Sequence, residues 1–559
     1  MTVPRIGSAR RRASAETPPL AADARPRLAS GVVFEEAAHG EGWIATFHGV
    51  PSARMSGTIV ELLTAMDGHT ALRDLRARFA ASESEESFGQ LIRRLSAAGF
   101  LGDDARLPPG RLSYRPPFTL QVATLRAPAL FGGMNRLLLP VPPRVLLWVV
   151  AVLLSGGILA AIAQAGELRN ALTRPIALPG LVVVVVVLSL LTLLHECAHG
   201  LTLTRFGGSA RRAGFMLFYL TPAFFVDVTD GWRLRDRRQR IAVALAGPAV
   251  HALAAAVALL AALLLPQPAV HEVLLLVAVS CVGVVLLNLI PFVRFDGYIA
   301  LMSAVDEPNL RVRAMRDGAD FLARILFGGR RSSMHLERWW SVPFGLASLV
   351  APAVLVLFAI ARAVRALAGG GPILGLLVVT LEAVVVLVAV SLLAKALLRI
   401  FRSGVSRLRV ISVCALLLAT IVTAGAFIPV PVTATLGFVA RDDGVVLVQA
   451  AQNVDVDVPA GAHVVLTSSG ILANDRVGDA VARPRRPTPT EAPLDALLPV
   501  TAAGVSVPAV VVARLEVAEE AGNLPPAGQA RIELGVRNLW QTLWTTGVTM
   551  PLSLPGSGK

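Results

Sequence analysis

The stretch Leu181-Val182-Val183-Val184-Val185-Val186-Val187-Leu188-Ser189-Leu190-Leu191-Thr192-Leu193-Leu194-His195-Glu196-Cys197-Ala198-His199 brings two imidazoles and a carboxylate to the end of a long uncharged run. A hydrocarbon core about 30 Å thick takes about 20 apolar residues per helix. With its flanks, the run predicts a membrane span over 178–201. Ionisable side chains at such depth are costly and mark functional sites.

The rest of the chain agrees with this class. Of 559 residues, 54% are hydrophobic and only 16% charged, against about 25% charged in ordinary soluble domains. Seven spans are predicted: 143–164, 178–201, 241–265, 272–293, 342–364, 373–398 and 409–429. The net charge is +14. Its arginines cluster in alternate loops, at 205–240, 294–340 and 395–409, whereas 165–177, 266–271 and 365–372 are short and less basic. The positive-inside rule accounts for this pattern and places the N-terminus in the cytoplasm, the C-terminal part outside and His195 near the cytoplasmic face. Cys197, Cys281 and Cys414 all fall in apolar segments, so no disulfide framework is expected. The Arg-rich N-terminus leads into no apolar run, so no cleavable signal peptide is expected.

The fold expected is a multi-pass α-helical membrane protein with a small α+β, winged-helix-like N-terminal domain and a β-rich C-terminal soluble domain. Residues 1–29 are expected to be disordered and basic. Residues 30–104 read as a small domain with strands at Val32–Glu35 and Trp43–Phe47 and helices near 56–66, 70–81 and 86–98. Ser56 and Thr70 are plausible N-caps; Gly68 and Gly99 are plausible stops. Residues 105–141, with Pro108, Pro109, Pro116 and Pro117, read as a linker to the membrane domain, 142–430. In 431–559, strands are expected around Val445–Val448, Val464–Leu466, Val510–Val512 and Arg531–Leu534, with the Pro/Thr-rich stretch Arg483–Pro493 as a flexible loop.

The spacing His195-Glu196-x-x-His199 has a direct chemical reading. Positions i and i+4 share a helix face about 5–6 Å apart, so both imidazoles can reach one zinc ion at about 2.0–2.1 Å. Glu196 points to a neighbouring azimuth, within reach of a water at the ion. H-E-x-x-H on a helix is a zinc-hydrolase signature. A catalytic zinc takes three protein ligands and keeps one open position. The candidate for the third is Asp296, in Asn288-Leu289-Ile290-Pro291-Phe292-Val293-Arg294-Phe295-Asp296-Gly297. It lies at the inward end of the fourth span, at the depth expected for His195. Asp296 could instead pair with Arg294, and Asn288 could serve as interhelical glue.

The two motifs together, H-E-x-x-H in one span and N-x-x-P-x-x-x-x-D-G in a later one, resemble the site-2 protease family of intramembrane zinc metalloproteases over roughly residues 178–300. The resemblance implies zinc ligation by His195, His199 and Asp296, Glu196 as general base, and Asn288 as a polar group positioning substrate or stabilising an oxyanion. Residues 30–104 resemble the PqqD-like fold on Ala53-Arg54-Met55-Ser56-Gly57-Thr58, Met66-Asp67-Gly68-His69-Thr70 and Leu91–Leu101. That family implies capture of a leader peptide as an added strand. The combination is similar to peptide zinc metalloproteases of modified-peptide pathways, the daptide type among them. The tail Pro525–Leu554, with Arg531, Trp540 and Trp544, resembles the periplasmic adaptor part of export machineries.

The expected function is therefore leader removal from a precursor peptide by a zinc endopeptidase in the plasma membrane. The precursor and the lipid bilayer are the expected partners. Nucleic acid is not expected, because Glu83, Glu85 and Glu86 break any basic face near 70–98. Two alternatives are a regulatory protease cutting a membrane-anchored transcription regulator, and a non-catalytic export or immunity protein. No PDZ insertion, carried by many regulatory relatives, is recognisable. His251 reads as a structural residue one turn into the third span. Asp227 and Asp230 read as members of a capped turn, with a re-entrant segment or a hairpin beside the site as the other reading.

Overall fold

The computed structural model describes residues 23–36, 42–103, 110–115, 119–138, 142–218, 221–328, 335–367, 372–402, 405–451, 458–517 and 524–549. The expected disorder of residues 1–22 and prolines 108, 109, 116 and 117 lie outside them. The chain forms two compact units, Met1–Ser155 with Leu188–Ala255 and Ser280–Asn309, and Gly156–Val187 with Ala256–Val279 and Leu310–Lys559.

The first unit begins with an antiparallel sheet, β1 (Val32–Glu36), β2 (Trp43–Phe47) and β3 (Val50–Met55), in that spatial order. Both turn residues between β2 and β3, His48 and Gly49, have positive φ (49° and 77°), the backbone of a tight two-residue hairpin. The third strand is additional to the two expected, because Pro51 and Arg54 interrupt its apolar pattern. Helices α1 (Gly57–Thr64), α2 (Leu72–Phe79) and α3 (Glu85–Ala98) follow. They bury Leu62, Leu63, Met66, Leu75, Phe88 and Ile92 together with Phe100. Ser56 stands at the N-cap of α1 and left-handed Gly99 closes α3. Ala71, not Thr70, precedes α2, since Asp67 already accepts the Thr70 N–H. The expected disorder does not extend through residue 29: Leu28 bridges Leu101 and Ala29 is buried.

The expected linker also carries structure, namely β4 (Leu112–Arg115), β5 (Thr119–Thr124) and α4 (Ala127–Leu138). These strands are short, and β5 completes its sheet with β7, about a hundred residues away, so the local sequence carries little sign of them. Next come α5 (Pro143–Ala163), α6 (Ala165–Thr173), β6 (Ile176–Ala177), α7 (Leu178–Arg205), β7 (Ala213–Phe218) and β8 (Thr221–Val226). An antiparallel sheet runs β4-β5-β7-β8. Phe131 of α4, fully buried, packs in one cluster with Leu203, Val226 and Val243.

The remaining helices are α8 (Arg237–Leu264), α9 (Pro268–Asn288), α10 (Asp296–Val305), α11 (Leu310–Phe327), α12 (Ser341–Leu367), α13 (Pro372–Arg402) and α14 (Arg407–Phe427). Among the described residues, seven helices (α5, α7, α8, α9, α12, α13 and α14) are long and apolar enough to cross a membrane. They match the expected spans within a few residues. The largest difference is α9, which stops at Asn288 rather than 293, because Pro291 disfavours helix in the residue before it.

In the second unit, β9 (Pro429–Arg441), β10 (Gly444–Ala450), β11 (His463–Thr467), β12 (Arg476–Pro493), α15 (Leu494–Leu497), β13 (Val500–Thr501), β14 (Ser506–Val517) and β15 (Ala527–Asn538) lead to α16 (Leu539–Trp544). Six of these strands close a barrel, β10-β14-β12-β11-β15-β9, around Phe438, Leu447, Val464, Leu466, Ala513 and Ile532. Arg483–Pro493 is not a loop. It is the second half of β12, paired with β14 from Thr488–Val511 to Pro493–Ser506. The β12–β11 pairing ends at Val481, so the prolines beyond it lie where the ladder on that side has stopped, the setting in which a strand tolerates them.

Candidate metal centre

The site lies within the first unit and is built by four elements. Helix α7 sets His195 and His199 one turn apart, their ring centroids 4.9 Å apart and nearly perpendicular. Both are buried. The Val243 carbonyl of α8 lies 2.7 Å from Nδ1 of His199. A carbonyl only accepts, so Nδ1 carries the proton and Nε2 is left with its lone pair facing inward.

Asp296 enters from α10. The chain leaves α9 at Asn288, turns through Pro291 and begins α10 at Asp296, where the helix N-terminus favours an ionised carboxylate. The approach is close: a Cβ on Gly297 would lie 2.5 Å from the Leu289 carbonyl oxygen. Asp296 is buried at 6% exposure, whereas Arg294 is exposed. The Asp296 Oδ2 lies 3.1 Å from His195 Nε2 and its Oδ1 3.5 Å from His199 Nε2. The two motifs, about a hundred residues apart in sequence, thus meet side chain to side chain.

These separations suit a metal better than a hydrogen bond. Tetrahedral ligands at about 2.0–2.1 Å from zinc stand roughly 3.3 Å apart, which the two distances bracket. Although close to an imidazole, Asp296 Oδ2 has no partner of hydrogen-bond geometry, and neither does His199 Nε2. Two buried polar atoms of one side-chain cluster without hydrogen-bond partners call for an explanation, and a shared cation supplies one. Helix α8 leaves room for it: a Cβ on Gly247 would overlap Nε2 of both histidines.

One ligand atom each from His195, Glu196 and His199 lies within 4.8 Å of the others. Of the two carboxylates nearby, the buried Asp296 suits ligation. Glu196 is only half-buried and its Oε2 accepts the Val226 N–H of β8 at 3.2 Å, which holds it at the rim. Asn288 donates its amide to the Val284 carbonyl of its own helix at 2.9 Å. His251, fully buried on α8, sets its ring 5.4 Å from that of His195.

Asp227 and Asp230 follow the hairpin formed by β7 and β8. Asp227 accepts the Thr229 N–H and hydroxyl, a capped turn as read. Buried Asp230 accepts the Ser209 N–H at 2.8 Å and pairs with Arg233 at 2.6 Å. Arg233 also grips the N-terminal sheet: it meets both Glu35 oxygens (2.8 and 2.6 Å) and the Gly49 carbonyl (2.9 Å). The Arg233 hydrogen bonds hold the Glu35 carboxyl below the usual glutamate range. A second tie joins Arg54 and Arg240 to Asp306, the residue that closes α10.

Sequence reasoning missed Gly247, Val226 and the Val243 carbonyl, which act through backbone. The one available signal was Gly247-Pro248 inside an apolar span, where proline cannot donate to the helix ladder. No family model, curated protein or solved structure matches this chain.

Proposed function

We propose that this protein is an intramembrane zinc endopeptidase of the site-2 protease type, removing the leader from a ribosomally made, modified precursor peptide during its maturation or export. The observation that carries the reading is the convergence of His195 Nε2, His199 Nε2 and the Asp296 carboxylate, with Glu196 alongside, at the end of a span-length apolar helix. His195, His199 and Asp296 would hold the ion. A zinc ion there supplies a Lewis acid and lowers the pKa of an attacking water toward 7.

The chain's own groups do the rest. Glu196 takes the proton from the attacking water and returns it to the leaving amine nitrogen. The Val226 N–H keeps that carboxylate aimed at the site. Strand β8 ends its sheet, and an edge strand offers backbone groups on which an unwound peptide can align. A substrate helix must unwind before attack, since its peptide bonds are internally hydrogen-bonded. Residues 30–104, a winged-helix-like module in this reading, capture the leader from the cytoplasm. The protein lies in the plasma membrane, with residues 431–559 on the far side, in keeping with the arginine distribution.

The test is co-expression with the precursor and mass spectrometry of the product. Glu196→Gln should leave the leader attached while zinc content is kept. Leader removal at the wild-type rate by that variant overturns the assignment. Leader removal unchanged in Glu196→Gln, with cleavage of a membrane-anchored regulator blocked, would move the protein to the regulatory class.

A further inference from the structure

Three successive turns of α8 address the centre. The Val243 carbonyl accepts a hydrogen bond from Nδ1–H of His199. Gly247, one turn on, gives bare backbone under both imidazole Nε2 atoms. His251, one turn further, lies against His195 with ring planes tilted at 57°. Side chains at i and i+4 share a helix face, so His251 stands on the face that walls the site.

His251 is 1% exposed, its Nδ1 is buried without a hydrogen bond, and neither ring nitrogen bonds a described residue. A polar group buried this way costs about 1–3 kcal/mol, and such orphans are rare enough to need a reason. Asn288, the residue expected to stabilise an oxyanion, spends its amide on Val284. Asp296 already completes three ligands, and a fourth from the protein would close the open position that a catalytic site needs.

We propose that His251 is a further catalytic residue, donating an imidazole N–H to the scissile carbonyl oxygen as that oxygen gains negative charge. The inference rests on the endopeptidase reading above. A fixed donor aimed at developing charge is among the larger catalytic effects, and losing one costs on the order of 100-fold in kcat.

The test uses the full chain purified in detergent and a dansyl-labelled phosphinic peptide, whose charged tetrahedral oxygens mimic the reacting carbonyl. His251→Phe keeps the ring packing and removes the donor. Expected are one zinc per chain, as in the wild type, and phosphinic-peptide affinity lowered about tenfold or more, the size of a hydrogen bond to a charged group. His251→Asn, which keeps an N–H donor, should recover part of the loss. Wild-type affinity in His251→Phe reduces His251 to packing and overturns the proposal. Loss of zinc in both variants makes it a ligand or a structural residue, and also overturns it. If His251→Phe does not fold, His251→Leu repeats the comparison. A wild-type chain that binds neither zinc nor the phosphinic peptide overturns the endopeptidase reading itself, a result distinct from the others.

Discussion

Gly247 shows how much of this centre depends on atoms that are missing. Both imidazole Nε2 atoms border a space that α8 leaves open by having no side chain there. Gly247→Ala puts a methyl group into that space. Overpacking of this kind costs about 1–3 kcal/mol, so zinc affinity, measured by competition with a chromophoric chelator, should fall roughly 5- to 150-fold. Unchanged affinity would place the ion elsewhere. His195, Glu196, His199 and Asp296 were legible because metal chemistry restricts the residue types and helix geometry fixes the spacing. Gly247, Val226 and Val243 were not. Two act through backbone atoms that every residue carries, and the third through an absence. His251 was legible as a residue but not as a neighbour of His195, since its place depends on how α8 lies against α7.

At the scale of elements, hydropathy located the long apolar helices because lipid leaves a chain few options. Strands were legible where valines run together, as in β10, β11 and β14, and illegible where the run is short, as in β4, where the sheet partner lies about a hundred residues away, as in β5 with β7, or where arginines and prolines break the apolar pattern, as in β12. The junction of α9 and α10 carries the most specific consequence. Gly297 sits so close to the Leu289 backbone that the neighbour cannot yield, whereas a Cβ on Gly283, within α9, meets nothing within 4 Å. Gly297→Ala should push α10 away from α9 and take Asp296 out of reach of the imidazoles. Elemental analysis should then find zinc lost from Gly297→Ala and retained in Gly283→Ala, both inserting in membranes like the wild type. Zinc retained in both would show that Asp296 is not a ligand.

At the scale of the molecule, the N-terminal sheet is tied to the parts that build the centre. Arg233, shortly after the β8 strand that holds Glu196, grips Glu35. Arg54 reaches Asp306, at the far end of the helix that Asp296 begins. Under the proposed function, a peptide captured by residues 30–104 would thus be held at a fixed distance from the His195, His199 and Asp296 cluster. The Glu35 tie has a pH signature. Its carboxyl titrates below the ordinary range when bound to Arg233, so its contribution is fully present above the unfolded value, about 4.3, and is lost as pH falls through the lower folded value. Hydrogen exchange in strands β1, β2 and β3 should therefore be slow and steady from pH 7 to 5, after correction for intrinsic rates, and should lose protection as pH falls below the ordinary glutamate range. Glu35→Gln should show the low-protection behaviour already at pH 7, and with a flatter pH response. Raised salt should weaken the tie in the wild type, because Glu35 and Arg233 are partly exposed and exposed pairs are screened. Protection in Glu35→Gln equal to that of the wild type at pH 7 would mean that the Arg54–Asp306 pair and the backbone contacts hold the sheet without it.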